Sequence, residues 1–273
     1  MSQTSFIAAC VQYGATPDVD ADIATALALM HGAADRGATL MALPELCVGL
    51  SAVDGKFVPH ACAEAEHPAV HAFGRFARER AVQVLVGSIG VLADDGRIFN
   101  RSLLLDAAGH VAARYDKIHL FDIDLPDGSS FRESASIAPG DRAVVVDLAQ
   151  GALGMSVCYD LRFPALYRSH AKRGASLLAV PSAFTRPTGR AHWEVLLRAR
   201  AIENGAYVLA PGQCGVLAGG AEVYGHSLII DPWGDVLADA GEDPGVVCAE
   251  IDLRRVADTR RRIPSLANER AFG

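Results

Sequence analysis

The chain has 273 residues, 51% of them hydrophobic, with 25 basic against 32 acidic side chains and a formal net charge of −7. That acidic balance, with no basic run, argues against a nucleic-acid partner, and no apolar stretch is long enough to span a bilayer as a helix. The polar start, Met1 to Ser5, has no basic segment, and the apolar run Phe6–Val11 is too short for a secretory signal, so a cytoplasmic location is expected.

Six cysteines, at 10, 47, 62, 158, 214 and 248, are scattered without a Cys-x-x-Cys pair. In a reducing compartment that pattern reads as free thiols, most of them core fillers. No Pro/Ser-rich linker and no solenoid-length repeat interrupts the chain, so residues 1–273 are expected to form a single domain.

Phe6 to Val11 reads as a first buried strand. From Asp18 onward, Ile23, Leu27, Met30 and Ala34 recur at helical spacing, with Gly37 as the stop. A second strand spans about residues 39–43, and a second helix follows Pro68 with Val70, Phe73 and Ala77 on one face. Val82–Leu92 and Phe99–Leu105 read as a hairpin around a turn at Asp94-Asp95-Gly96, and a further strand delivers Lys117. The stretch from His119 to Gly140 is long, polar and turn-rich, which predicts a functional loop.

Val144–Val146 and Leu153–Val157 form another predicted hairpin, divided at Gln150-Gly151. A helix after Cys158 precedes a strand at Ser176–Val180, and Ala191–Asn204 is helical up to Gly205. Strands at Tyr207–Ala210 and Ser227–Ile230 precede the turn Asp231–Gly234, and Val246–Ile251 closes the sheet. Helices set between groups of strands that pair through tight turns predict an α/β sandwich with two mixed sheets rather than a uniformly alternating TIM barrel.

Three predicted strand ends carry Glu45, Lys117 and Cys158. Taken singly, each is ordinary: a glutamate after Leu-Pro is usually solvated, a strand-end lysine is usually on the surface, and a cysteine after an apolar strand is usually core. Cys158 sits where Ala152–Val157 breaks into the polar run Tyr159–Arg162, with Pro164 presetting the next helical turn. A thiol there is in reach of backbone N–H groups, a setting expected to stabilise the thiolate. Together the three supply a reaction. Glu45 can take the thiol proton and return it to a departing amine. Lys117 can favour the thiolate and donate to an oxyanion, with the Tyr159 backbone N–H as second donor. Cys158 can carry the acyl group as a thioester.

Leu43-Pro44-Glu45-Leu46, Tyr115–Leu120 (Tyr-Asp-Lys-Ile-His-Leu) and Ser156–Pro164 (Ser-Val-Cys-Tyr-Asp-Leu-Arg-Phe-Pro) resemble, in order, the three signature blocks of the nitrilase (carbon–nitrogen hydrolase) superfamily. Phe131-Arg132-Glu133, His192–Asn204 and Tyr224-Gly225-His226-Ser227 extend the likeness from about Phe6 to Pro264. It is greatest to the Nit branch of omega-amidases and deaminated-glutathione amidases. The resemblance implies an αββα sandwich, a Glu–Lys–Cys triad, no cofactor, a supporting glutamate at Glu133, and a homodimer or larger homo-oligomer. One departure is that Leu46–Ala52 carries no aromatic residue, where many relatives place one soon after the glutamate.

His60, Cys62, His67 and His71 cluster in sequence, and His67 and His71 are four apart, a spacing that can bind zinc. No further ligand pair accompanies them, so exposed helix histidines and no metal are expected. Trp193 and Leu197 read as core or interface, and Glu194 as surface or pocket. Arg162 either pairs with Asp160 or Glu133, or faces the substrate as a carboxylate-binding fork.

The expected function is a cofactor-free thiol amidase that hydrolyses a small carboxylate-bearing amide, of deaminated-glutathione or omega-amide type, to acid and ammonia. A nitrilase or an N-carbamoyl amino acid amidohydrolase would use the same triad. A non-catalytic interaction module would need none of it, and a metal-dependent hydrolase would draw on the histidine cluster instead. Specificity is expected to depend on how the loops at 46–66, 119–140 and 183–190 fold together, and on a neighbouring subunit.

Overall fold

Alternation along the first strands decides the layering. In Ser5–Gln12 and Ala38–Ala42, Ala8, Cys10, Leu40 and Ala42 face one hydrophobic cluster, while Ala9, Val11 and Met41 face another. Both faces are therefore covered, as period-two side-chain direction requires of a fully buried strand. The computed structural model describes residues 5–53, 56–93, 95–124 and 130–271.

The larger sheet runs in the order Ile137–Ala138, Ile98–Leu105, Gln83–Leu92, Ala38–Ala42, Ser5–Gln12, Gly245–Asp252, with Val111–Asp116 paired to Ile98–Leu105 and Ala61–Cys62 to Gln83–Leu92. The second sheet runs Val144–Leu148, Gly151–Met155, Leu177–Ala179, Tyr207–Ala210, Leu228–Ile230, Val236–Asp239. Both mix parallel and antiparallel pairs. Leu40, Leu85 and Leu104 of the first sheet share a core with Leu153, Leu178 and Val208 of the second.

Helices α1 (Val19–Asp35) and α2 (Pro68–Arg80) cover the far face of the larger sheet through Ala26, Met30, Phe73 and Phe76. Helices α3 (Pro164–Lys172) and α4 (Arg186–Asn204) pack on the second sheet, and α5 (Arg254–Arg262) follows the last strand. The expected two-sheet α/β sandwich is the fold.

The local signals act as read. The Asp18 side chain accepts from the Asp20 and Ala21 amides at 3.1 and 3.0 Å and starts α1, while Gly37 turns out of it at φ +84°. Helix α4 starts at Arg186, five residues before the apolar periodicity does: Pro187 fits a first turn, and the one buried residue of Arg186–Arg190 is Gly189, which has no side chain to extend the pattern. The short hairpins Leu50–Val53/Lys56–Pro59 and Cys214–Val216/Glu222–Tyr224 and the edge strand Val236–Asp239 carry no clean alternation and were not expected. Asp94 of the 94–96 turn, residues 1–4 of the polar start and the last two residues lie outside the described residues. Among the described residues, no helix is long and apolar enough to cross a membrane.

His170 of α3 is fully buried and its Nε2 lies 2.9 Å from the Met155 carbonyl. Gly154 makes room for the ring, since a Cβ there would lie 2.7 Å from the imidazole Cγ. Burial lowers the His170 pKa to about 4, against 6.5 for an ordinary imidazole. Between these values the unfolded chain holds the proton and the folded chain does not, so stability falls as pH drops from 6.5 to 4. The loss due to His170 is expected to reach about 3 kcal/mol. Urea unfolding across this range checks it: His170→Gln should flatten the slope, and an unchanged slope would contradict the assignment.

Candidate active site

Glu45 lies in a turn after Ala38–Ala42 that is held from two sides. Ser88 Oγ accepts from the Leu46 amide at 2.8 Å, and Ser88 O accepts from the Cys47 amide at 3.0 Å. From the other side, Gln213 Nε2 donates to the carbonyls of Glu45 and Leu46 at 2.7 and 3.1 Å. These bonds hold Leu46 at φ +45°, a left-handed conformation unfavourable for a leucine. Gly87 passes so close beneath that a Cβ would lie 2.0 Å from Leu43 O, so only glycine fits.

Lys117 follows the strand Val111–Asp116, its amide donating to Asn100 O at 3.0 Å and its carbonyl accepting from Gly140 at 2.8 Å. Its ammonium is only 2% exposed and lies 2.8 Å from Glu45 Oε1 and 2.9 Å from Glu133 Oε2. Asn100 Nδ2 bridges the same two carboxylates at 3.0 and 3.2 Å. Glu45 Oε2 accepts from the Ala183 amide at 3.0 Å, and Glu133 Oε2 from the Phe121 amide at 2.7 Å. Burial alone would lower the Lys117 pKa, but Glu133 and Glu45 outweigh it and hold the pKa well above the ordinary ammonium value.

Cys158 opens a short 3₁₀ turn, Cys158–Arg162, at φ +48°, with its amide donating to Pro181 O at 2.8 Å. Side chains in this backbone region are rare and occur where surrounding structure over-determines them. Here Asp160 does so. Fully buried, it accepts from Val157 N at 2.8 Å, Tyr115 Oη at 2.6 Å and His119 N at 3.1 Å, and its Oδ1 lies 2.6 Å from His119 Nδ1. Asp160 thus ties the Cys158 turn to the strand end that carries Lys117.

The surroundings of Cys158 favour the thiol over the expected thiolate. Burial and the neighbouring Glu45 carboxylate push the Cys158 pKa well above the ordinary thiol value, with Lys117 acting the other way. Burial is the larger cause, and the carboxylate of Glu45 adds to it because a thiolate would place a second negative charge beside it. The turn is also too short to supply a helix dipole; α3 begins only at Pro164.

Glu45, Lys117, Glu133 and Cys158 all line a cavity of about 270 Å³. Phe121, Phe131, Tyr159 and Phe184 form much of its wall, and Phe57 supplies a ring on the side where Leu46–Ala52 has none. The Tyr159 amide has no hydrogen-bond acceptor among the described residues. Arg162 also lines the cavity and pairs with neither Asp160 nor Glu133. Its guanidinium packs over Phe184 and Tyr159 at 5.4 and 5.8 Å, with Nη1 3.3 Å from His192 Nδ1.

Sequence reasoning missed Asn100, Gln213 and the holding role of Asp160, whose partners are distant in sequence. Trp193 and Leu197 are core, and Glu194 is exposed beside Arg198, outside the cavity. His60, Cys62 and His67 come together away from the cavity lining, with His71 outside the group. His67 is buried at the start of α2 rather than exposed.

The carbon–nitrogen hydrolase family model matches residues 7–261. The chain is 41% identical to a deaminated glutathione amidase of Synechocystis, over 96% of this chain and 97% of that one. It is 34% identical to omega-amidase NIT2 of Homo sapiens, over 98% and 96%. Saccharomyces cerevisiae Nit3, described as a member of branch 10 of the nitrilase superfamily, superposes with a TM-score of 0.88 at 29% identity, over 98% and 97% of the two chains. The chain belongs to the carbon–nitrogen hydrolase family, on its Nit side.

Replacing Asp160 tests how far the Cys158 turn depends on it. Asp160→Ala leaves the Val157 amide, the Tyr115 hydroxyl and the His119 amide without their acceptor. It should cost about 3–5 kcal/mol in urea unfolding, and a loss under about 1 kcal/mol would contradict this role.

Proposed function

We propose that this chain is a cofactor-free thiol amidase that hydrolyses a small, carboxylate-bearing amide, of deaminated-glutathione or omega-amide type, to the acid and ammonia. The observation that carries the reading is the buried Lys117–Glu45 pair beside Cys158 in the wall of one cavity. The names of the Synechocystis and human relatives support the amide class.

In the proposed mechanism, Glu45 accepts the thiol proton as Cys158 Sγ bonds to the amide carbon. The oxyanion is met by a Lys117 Nζ–H and the Tyr159 amide. Lys117 Nζ meets Glu45 Oε1 at 2.8 Å and both Glu133 oxygens at 2.9 and 3.1 Å, and if one N–H is shared between the two Glu133 oxygens, one remains for this task. As the tetrahedral adduct collapses, Glu45 returns the proton to nitrogen, the C–N bond breaks, and ammonia leaves an acyl thioester. Water then attacks that thioester while Glu45 takes its proton. The C–S bond breaks to release the acid, and Glu45 gives the proton back to sulfur. Glu133 and Asn100 act by holding Lys117 and Glu45 in place.

Arg162 is proposed to hold the substrate carboxylate in a bidentate, charge-assisted pair. The other cavity arginine, Arg132, is engaged with Asp124 at 2.7 Å, whereas Arg162 meets no carboxylate among the described residues. The enzyme is further proposed to act in the cytoplasm as a homodimer or larger homo-oligomer. Its six unpaired cysteines suit a reducing compartment, and Val195, Ile202 and Trp233 leave apolar surface exposed for a second copy.

Cys158→Ala should abolish ammonia release while the fold persists. Glu45→Gln should slow acylation by ~10²–10⁴-fold, and Lys117→Ala should slow it by about 10²–10³-fold. Lys117→Arg should not rescue, since a planar fork cannot replace a compact ammonium. Less than about a tenfold loss at either position would remove that residue from the proposed triad.

Arg162→Leu should weaken turnover of an omega-amide acid by about 1.5–3 kcal/mol in kcat/KM and change that of its methyl ester much less. Equal losses on the pair would discard the carboxylate role. In an ammonia-release screen, turnover of nitriles or carbamoyl amino acids without turnover of omega-amides or deaminated glutathione would overturn the substrate class.

A further inference from the structure

Outside the active-site cavity, the ligand atoms of His60, Cys62 and His67 all lie within 4.8 Å of one another. The three arrive from different elements. His60 follows the hairpin strand Lys56–Pro59, Cys62 pairs with Val91 at the edge of the larger sheet, and His67 is the N-cap of α2. His67 is fully buried, and its Nδ1 accepts from the Ala69 amide at 3.2 Å. Its other nitrogen, Nε2, is buried with no hydrogen-bond partner among the described residues. Leaving such a group unpaired costs about 1–3 kcal/mol, yet the fold keeps it beside a thiol and a second imidazole. The His60 ring meets the His67 ring edge-on, centroids 5.5 Å apart, and His60 is exposed, which opens a path from solvent.

We propose that His60, Cys62 and His67 form a binding site for a zinc-class divalent cation. Two imidazole nitrogens and one thiolate sulfur are the donors such ions take, at about 2.0–2.3 Å, with water completing a tetrahedron. Ligand atoms in that geometry stand about 3.3–3.8 Å apart, so side-chain rotation closes the observed cluster onto an ion. Binding releases one proton, from the Cys62 thiol. The His67 ring proton moves from Nε2 to Nδ1, which gives up the bond from Ala69 and leaves Nε2 to the metal. The ion would join the start of α2 to the end of a hairpin whose Leu50, Phe57 and Pro59 line the catalytic cavity. Its binding should therefore change KM for the amide more than kcat.

The site is tested by titrating Co(II), then displacing it with Zn(II), on the full chain in a Cys158→Ala background that removes the competing cavity thiol. One Co(II) per chain is expected, with a thiolate-to-cobalt charge-transfer band that Zn(II) abolishes. Cys62→Ser should remove the band. His60→Ala, at an exposed position, and His67→Gln should each weaken binding by at least ~10-fold. Absence of the band, or affinity unchanged in Cys62→Ser and His60→Ala, would overturn the site. The outcome does not depend on the substrate assignment, because binding is read without turnover.

Discussion

A buried ammonium between two carboxylates is the constraint around which this molecule is arranged. Lys117 is almost wholly excluded from water, a position tolerable only because Glu45 and Glu133 lie within 3 Å of it. Each carboxylate is in turn held by a backbone amide, Ala183 for Glu45 and Phe121 for Glu133, with Asn100 bridging both. Removing any one of these groups would leave a charge or a donor unpaired in the interior. Phe121, Glu133 and Ala183 are therefore held by the same network as the lysine, which is why residues far apart in sequence meet in one cavity wall.

That network also sets the chemistry available to Cys158. Burial and the neighbouring Glu45 carboxylate raise the Cys158 pKa and so favour the thiol over the thiolate. In the proposed mechanism this couples deprotonation to attack and keeps the free thiol unreactive between turnovers. The left-handed backbone at Cys158 and Leu46 is the cost of aiming the sulfur and the Glu45 carboxylate into the same small space. Asp160 and Gln213 offset it by fastening both turns to neighbouring elements.

Much of this was legible in the chain because it is written locally. Asp18 and Gly37 bracket α1, Pro68 opens α2, and the hydrophobic runs at 83–92 and 98–105 pair as a hairpin. The three strand ends bearing Glu45, Lys117 and Cys158 follow from the same local patterns. What was not legible depends on pairing across the fold. The raised pKa of Cys158 follows from burial and from the Glu45 carboxylate that the fold brings beside it, and the apolar residues just before the cysteine gave no sign of it. Asp160 read as a possible partner for Arg162 because the two are neighbours in sequence, yet its partners are Tyr115, Val157 and His119. Arg186–Arg190 hid the first turn of α4 because helix geometry there comes from Pro187 and not from apolar periodicity.

The central claim is that Cys158 carries the acyl group while Glu45 moves the proton, and trapping that intermediate tests it most directly. Rapid-quench intact-mass spectrometry during turnover of an omega-amide should show one adduct per chain, with the mass of the substrate less ammonia, mapped to Cys158 by peptide digestion. The adduct should form markedly more slowly in Glu45→Gln. Steady turnover with no adduct at Cys158, or an adduct on another residue, would contradict the account.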